Sequence, residues 1–490
     1  MNLPLVPRMG GARDVRVSSP GQLAAAGAIA AGMGLLSAAT GSGMVAAGAL
    51  GVLGLGAIGL VRPAAFLSVF LLTRPVLDSA TDKHFSLGFA TINAAGLFAV
   101  MLLAIFALTV STSRSIVWPR ATAALAIVFV LSIGAFYFAK TSWLAPFMGS
   151  GPLAELTRVM TLAAIYLLAA NVMGSVARVR AIFIAVAFAA LIPALVGLLQ
   201  VAHVIGVSCD VCAESTQELG LSRINGTFVG PNPFGDYLAL AILVLAALPR
   251  TLRLPPRVRL GLIGVLTVTL VATYSREAWA MALIGVAILF WRRRRGLMIG
   301  VAVGVSAAVL LVPTIHDRVI PSKETNAISP DGVNQFTSYA WRLETWRLVG
   351  QKIKAKPIQG YGLGTEAYLL PPLGSPEGTK GYEPHNLVLT TLLEGGVVLL
   401  LAYVFLFVVL LRRLRALSRV RWPLQDHARL LFVLWILVII VGLLAGNTLS
   451  ETATMFALFA LTGAVEGAYA RRGQAVPDGP RSESTGGAAR

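Results

Sequence analysis

Apolar stretches of about twenty residues recur along the chain, as at 88–110, 181–205 and 388–411. A helix of that length crosses the hydrocarbon core of a bilayer and satisfies its own backbone hydrogen bonds there. Only 13% of the 490 residues are charged, against about 25% in a soluble domain. This composition excludes a soluble enzyme, a disordered protein and a disulfide-rich secreted module, and an outer-membrane barrel would show shorter, alternating segments.

Fourteen apolar segments predict an all-α polytopic membrane protein. Those at 64–77 and 277–291 are short, and the first two are rich in glycine and alanine, so we expect twelve to fourteen transmembrane helices. The expected plan is a cytoplasmic N-terminus (1–19), an N-terminal transmembrane bundle (20–205), an external loop (206–230), transmembrane helices (231–313), a large external loop (314–386), C-terminal transmembrane helices (387–470) and a disordered cytoplasmic tail (471–490).

The connections between segments alternate in charge. One set carries a net charge of +21 and the other −3, which together give the +18 of the whole chain. The positive-inside rule places the basic set, with both termini, in the cytoplasm. The excess positive charge is therefore explained by the membrane topology and does not require a nucleic-acid partner. The run Arg292–Arg295 is expected to contact anionic membrane lipids.

The loop at 314–386 is too polar to enter lipid and too long to be a simple connection. Residues 338–355 place apolar side chains at helical spacing, and Pro357 is expected to end that helix. Gly360, Gly362 and Gly364 follow, and they predict a tight turn with an exposed backbone. We therefore expect a small helical cap on the external side of the bundle.

Several arginines lie where apolar segments meet the external side: Arg74 (with Asp78), Arg223, Arg276 and Arg342. Guanidinium groups bind phosphate oxygens in pairs and stay charged near a membrane, so such a cluster suits a diphosphate. His385 stands just before the segment that begins at Leu387, and a histidine there can act as a base near neutral pH.

Structural explanations stay open for each candidate. Arg223 can anchor at lipid headgroups, Arg276 can pair with Glu277, and Arg342 can lie on the solvated face of the cap helix. The pair Cys209 and Cys212 favours a local disulfide or two idle thiols over a redox or zinc site.

Four short motifs occur in a fixed order: Arg223 with Pro231-Asn232-Pro233-Phe234, then Ser275-Arg276, then the cap stretch Arg342…Trp346…Pro357…Gly360-Tyr361-Gly362, and last His385-Asn386…Glu394-Gly395-Gly396. Over roughly residues 220–410 this series resembles the O-antigen ligase and polymerase superfamily. The stretch Arg74-Pro75…Asp78 resembles that family's pattern more weakly.

The resemblance implies a metal-independent, cofactor-free glycosyltransferase with an all-helical bundle of the class C type. Such an enzyme takes a glycan from a polyprenyl-diphosphate carrier and gives it to a lipid A core, another lipid-linked glycan or a protein hydroxyl. By this resemblance Arg223, Arg276 and Arg342 stabilise the leaving diphosphate and His385 activates the acceptor hydroxyl. The expected substrate-binding residues are Asn386, Glu394, Arg74, Trp346 and Asn232.

The external carboxylates look scattered along the sequence rather than grouped at the spacing of metal ligands, which agrees with a metal-free mechanism. Ligase and polymerase share the motif series, and we favour the ligase. A solute transporter is the distant alternative, because transporters place polar groups near the membrane midplane and often show repeated halves. Here polar residues gather at the outer face instead.

Overall fold

A computed structural model describes residues 54–76, 78, 84–86, 91–113, 115–207, 223–291, 338–370, 384–444, 446 and 448–472, with short pieces between 296 and 335. The predictions for the first apolar segment, for Cys209 and Cys212 and for the tail beyond residue 472 fall outside these residues.

The helices are numbered here in chain order: α1 (Pro63–Thr73), α2 (Ala94–Thr112), α3 (Thr122–Thr141), α4 (Ala145–Met148), α5 (Gly151–Val172), α6 (Val176–Ala189), α7 (Leu191–Val201), α8 (Pro231–Ala247), α9 (Pro249–Leu252), α10 (Pro256–Ala272), α11 (Arg276–Phe290), α12 (Ser338–Ala355), α13 (Glu366–Leu369), α14 (Leu387–Leu417), α15 (Gln425–Leu444) and α16 (Thr452–Arg472). Two antiparallel hairpins join β1 (His84–Ser86) to β2 (Thr91–Asn93) and β3 (Ala327–Ile328) to β4 (Asn334–Gln335). These strands are only two or three residues long.

The described helices confirm an all-α polytopic membrane protein. Six of them are long and apolar enough to cross a bilayer, namely α3, α5, the consecutive pair α6–α7, α14, α15 and α16. Shorter apolar helices include α1, α2 and α8. Large apolar side chains such as Val130, Leu260 and Leu401 remain exposed, as expected of surfaces that face lipid. The total of twelve to fourteen spans stays a prediction.

Helix α16 forms the centre of the bundle and is almost wholly buried. It packs along α5 through Gly463 and Gly467, one turn apart, where an added methyl group would collide with the carbonyl oxygens of Tyr166 and Ala170. Small residues at this spacing let two helix backbones approach closely in a membrane. Arg471 then closes the end of α5 by donating to the carbonyls of Ala170 (2.7 Å) and Asn171 (2.6 Å).

Helix α14 is broken at Gly396, whose φ of 63° and ψ of −165° are not helical. The segment before α13 fills the break: the Tyr361 and Gly362 amides donate to the carbonyls of Leu393 (2.8 Å) and Glu394 (2.7 Å). A broken helix at membrane depth is tolerated only where other protein groups satisfy the freed backbone, as they do here.

The glycine-rich turn therefore differs from its prediction. We expected the backbone from Gly360 to Gly364 to be exposed, whereas Gly360 and Gly362 are buried against α14 and α3. The physical reason is that the amides of this turn are the donors that the broken helix requires.

The helix predicted at 338–355 is confirmed, while its place in an external cap stays a prediction. α12 covers Ser338–Ala355 and ends two residues before Pro357, as the apolar spacing predicted. Val349 of α12 packs with Leu369 and Leu370 against Leu144 and Leu393, so the described part of the cap is fixed to α14 and to the segment after α3.

Candidate active site

The ends of several helices meet on one side of the bundle, and most of the predicted site residues lie there. The Asn386 amide at the start of α14 donates to the Leu443 carbonyl at the end of α15 (2.7 Å). Gly446, just beyond α15, lies so close to α11 that an added methyl group would sit 3.6 Å from Glu277 Oε2. The starts of α11 and α14 therefore flank the same end of α15.

Arg223 ties the external loop to this group of helix ends. Its Nε donates to the Thr273 carbonyl just after α10 (3.1 Å), and its guanidinium also donates to Asn232 Oδ1 in the first turn of α8 (2.7 Å). The side chain is buried, with 8% of the residue exposed. These contacts are with protein, so they account for Arg223 better than an anchor at lipid headgroups.

Arg276 and Arg342 lie within electrostatic range of each other. Arg276 is the first residue of α11, which Ser275 caps, and Arg342 lies on the cap helix α12. Burial, and then the positive charge of Arg342, lower the pKa of the Arg276 guanidinium, whereas Glu277 raises it. The structure thus brings together two cations that lie 66 positions apart in the sequence, and a polyanion would relieve their repulsion.

His385 is held in an unusual backbone conformation next to the cap. Its φ is +48°, a region that non-glycine residues rarely occupy. On one side, Trp346 of α12 donates its indole N–H to the Pro384 carbonyl (2.9 Å). On the other, Asn386 caps α14 by accepting from the amides of Val388 (3.0 Å) and Leu389 (3.1 Å). Strain of this kind clusters at functional sites, because the surrounding contacts must enforce it.

Arg74 is buried and connects separate parts of the fold through hydrogen bonds. It donates to Asp78 Oδ1 (2.7 Å) and to the Thr452 hydroxyl at the start of α16. Asp78 in turn accepts from the Val229 amide (3.3 Å). This network fixes the end of α1 to the external loop and to α16, while contact of Arg74 with substrate stays a prediction.

Glu394 is not brought to the group around His385. It lies eight residues after Asn386 in α14, about 12 Å along the helix, and its Oε1 accepts from the Gly364 amide (2.5 Å). Glu394 thereby stabilises the turn that fills the break in α14. Its expected role in binding sugar hydroxyls stays a prediction.

The expectation of scattered carboxylates was wrong. Asp236 of α8, Glu277 of α11 and Glu451 just before α16 each offer an oxygen that lies within 4.8 Å of the others. The three come from distant parts of the chain, so no local spacing reveals the group. One signal was available, because Asp236 is an ionisable residue inside an apolar helix and such residues are functional candidates by default.

The geometry combines a pair of guanidinium groups, a histidine in a strained segment and a buried carboxylate cluster, all at helix ends. A search of curated proteins finds no significant match to the chain. Residues 260–404, less than a third of the chain, match the family model described as O-antigen ligase. The matched stretch includes Arg276, Arg342 and His385, whereas Arg223 lies before it. This match supports a domain of the O-antigen ligase type at residues 260–404.

Proposed function

We propose that this membrane protein transfers a glycan from a polyprenyl-diphosphate carrier to a hydroxyl acceptor, as an O-antigen ligase. The observation that carries the proposal is the approach of Arg276 to Arg342 at a half-buried position. Two like charges close together disfavour each other unless an anion lies between them or beside them. A diphosphate matches that requirement, because each guanidinium can bind two of its oxygens.

In this proposal the acceptor hydroxyl oxygen attacks the anomeric carbon of the glycan. The bond from that carbon to the carrier diphosphate breaks, and the diphosphate leaves with the bonding electrons. Arg276 and Arg342, with Arg223 behind them, stabilise the charge that grows on the leaving group. His385 takes the proton of the acceptor hydroxyl, which contributes about 10²–10⁴-fold to such reactions.

The step is proposed to be metal-independent, because the guanidinium groups already supply the positive charge that a metal would bring to the leaving group. The backbone at His385 supports its assignment, since Trp346 and Asn386 hold the residue from both sides. Asn232 would act through Arg223, to which it is hydrogen-bonded.

The proposed location is the bacterial inner membrane, with the site on the outer face and both termini in the cytoplasm. The charge difference between the two sets of connections supports this orientation. The lipid tail of the carrier would lie among the spans, and the glycan would lie beneath the cap formed by residues 314–386.

Ligase and polymerase differ only in the acceptor, so one assay separates them. The purified protein in nanodiscs would receive a polyprenyl-diphosphate-linked oligosaccharide together with a lipid A core. Glycan joined to the core supports the ligase, and a ladder of longer carrier-linked glycans makes the protein a polymerase instead. Transfer to a peptide hydroxyl would indicate a protein O-oligosaccharyltransferase. No product with any acceptor, from an intact preparation that binds the donor, would contradict the proposal.

A further inference from the structure

We propose that Asp236, Glu277 and Glu451 form a binding site for a divalent cation, with Ca²⁺ as the best-fitting ion. Their closest ligand oxygens all lie within 4.8 Å of one another. Each carboxylate belongs to a different part of the bundle: α8, the start of α11 and the residue before α16. The site would therefore connect three helices that also carry or adjoin the candidate active site.

Two carboxylates of this cluster carry buried oxygens that lack a hydrogen-bond partner among the described residues. Asp236 is 1% exposed, and its Oδ1 has no hydrogen-bond partner among the described residues. Oε2 of Glu451 is enclosed and likewise unsatisfied within the described part of the chain. An unsatisfied buried oxygen is costly, so native proteins supply a partner for it. A cation between the three carboxylates would satisfy both atoms together.

Arg74 does not neutralise the cluster through the hydrogen bonds described for it. Arg74 lies beside Glu451, since it donates to the adjacent Thr452, but its other hydrogen bond goes to the carboxylate of Asp78. Carboxylates that share a buried site cannot all ionise without a counter-charge. Asp236 and Glu451 lie within hydrogen-bonding range of each other, so a proton shared between them is the alternative that the Ca²⁺-binding test separates from a cation.

The distances between the carboxylate oxygens help to decide which metal ion the cluster would bind. Ca²⁺ binds oxygen at about 2.3–2.6 Å, so two of its ligands can lie up to about 5 Å apart. Mg²⁺ binds at about 2.0–2.1 Å and requires its ligands to lie within about 4.2 Å. All three oxygens lie within 4.8 Å of one another, which the coordination sphere of Ca²⁺ accommodates. Mg²⁺ also gives up its bound water reluctantly, so a buried set of carboxylates favours Ca²⁺. A set made only of carboxylates suits Ca²⁺ better than zinc, whose protein sites are built mainly from nitrogen and sulfur ligands.

The ion would fix the position of Arg276 and would not contact the reacting atoms. Glu277 directly follows Arg276 at the start of α11. Fixing Glu277 to α8 and to the start of α16 would hold Arg276 at a set distance from Arg342. The cation is thus structural, which is compatible with a transfer step in which arginines alone contact the diphosphate.

The test uses the whole protein in phosphatidylcholine nanodiscs, whose zwitterionic headgroups do not compete as an anionic lipid would. After chelation, ⁴⁵Ca²⁺ binding and the thermal unfolding midpoint are measured against added CaCl₂ or MgCl₂. We expect saturable binding of one Ca²⁺ per chain, a rise in the midpoint of at least about 2 °C, and a weaker effect of Mg²⁺. Absence of saturable binding by the wild-type protein would overturn the proposal by itself.

Substitutions of the proposed ligands test whether the ion binds at this cluster. D236N should weaken Ca²⁺ binding at least tenfold, and E451Q provides a second test if D236N does not fold. The matched control is E466Q, because Glu466 of α16 is also buried with unsatisfied oxygens, yet it lies outside the cluster beside Arg413. The control should bind Ca²⁺ as the wild type does. An equal Ca²⁺ response in D236N and E466Q would refute the site.

Discussion

At the scale of single residues, the arginines fall into two kinds. Arg74 and Arg223 are buried. Arg74 donates to Asp78, and Arg223 donates to Thr273 and Asn232. Arg276, at the start of α11, instead lies within electrostatic range of Arg342 on the cap helix. The first kind makes contacts that hold the fold together, and in the proposed function the second kind provides most of the positive charge for a leaving diphosphate.

Replacing Arg342 with alanine should lower kcat/KM for donor by about ten- to a hundred-fold, because one charge-assisted contact to the diphosphate is lost. The matched control is R347A on the same helix, since Arg347 is exposed and pairs with Glu344. The control should retain near-wild-type activity in the nanodisc transfer assay. Equal losses of kcat/KM in R342A and R347A would show that the total positive charge of the cap, and not Arg342 in particular, determines the activity with the donor.

Trp346 should act by positioning His385. W346F keeps an aromatic ring, although a smaller one, and removes the indole N–H that donates to the Pro384 carbonyl, a contact of about 0.5–1.5 kcal/mol. We expect a several-fold loss in kcat with the donor KM unchanged, since donor contacts remain. A variant that loses donor affinity and keeps kcat would show that Trp346 contacts the substrate instead.

The residue types of the site could be read from the sequence, but their partners could not. Arg276 and His385 stood out because they are ionisable residues at the ends of apolar segments. Asp236, Glu277 and Glu451 come together only when α8, α11 and α16 pack, so no spacing along the chain predicts their cluster. The same holds for the contact between Trp346 and the segment before His385.

At the scale of elements, helix α14 and the turn before α13 depend on each other. The break at Gly396 frees carbonyl groups that the turn satisfies, and the Val397 amide donates back to the Pro357 carbonyl (2.9 Å). The helix boundaries at Leu387 and Ala355 followed from local apolar spacing and a proline stop. The break did not, because two consecutive glycines signal a weak point in a helix without saying what fills it.

Replacing Gly396 with alanine should destabilise the protein by at least about 1–3 kcal/mol, because its backbone angles lie in a region essentially reserved for glycine. An added methyl group would also collide with the Ile358 carbonyl oxygen. Thermal unfolding in nanodiscs measures the effect. G350A is the control, since Gly350 of α12 has open space where the methyl group would go. An unchanged midpoint in G396A would show that α14 is continuous.

At the scale of the whole molecule, the orientation in the membrane decides which side the site faces. We expect Lys356 at the end of the cap helix to lie outside and Arg419 after α14 to lie in the cytoplasm; both are exposed. In a background with Cys209 and Cys212 replaced by serine, K356C should react with an impermeant maleimide in intact spheroplasts. R419C should react only after the membrane is opened. The opposite pattern would reverse the topology.

The most direct test of the site measures donor binding and glycan transfer in the same nanodisc preparation of H385A. We expect H385A to bind the polyprenyl-diphosphate-linked glycan with near-wild-type affinity, because the arginines remain, and to lose transfer by about 10²-fold or more. H316A is the control, since His316 belongs to none of the four motifs, and it should transfer normally. Wild-type turnover by H385A would contradict the assignment of the acceptor base and with it the proposed site.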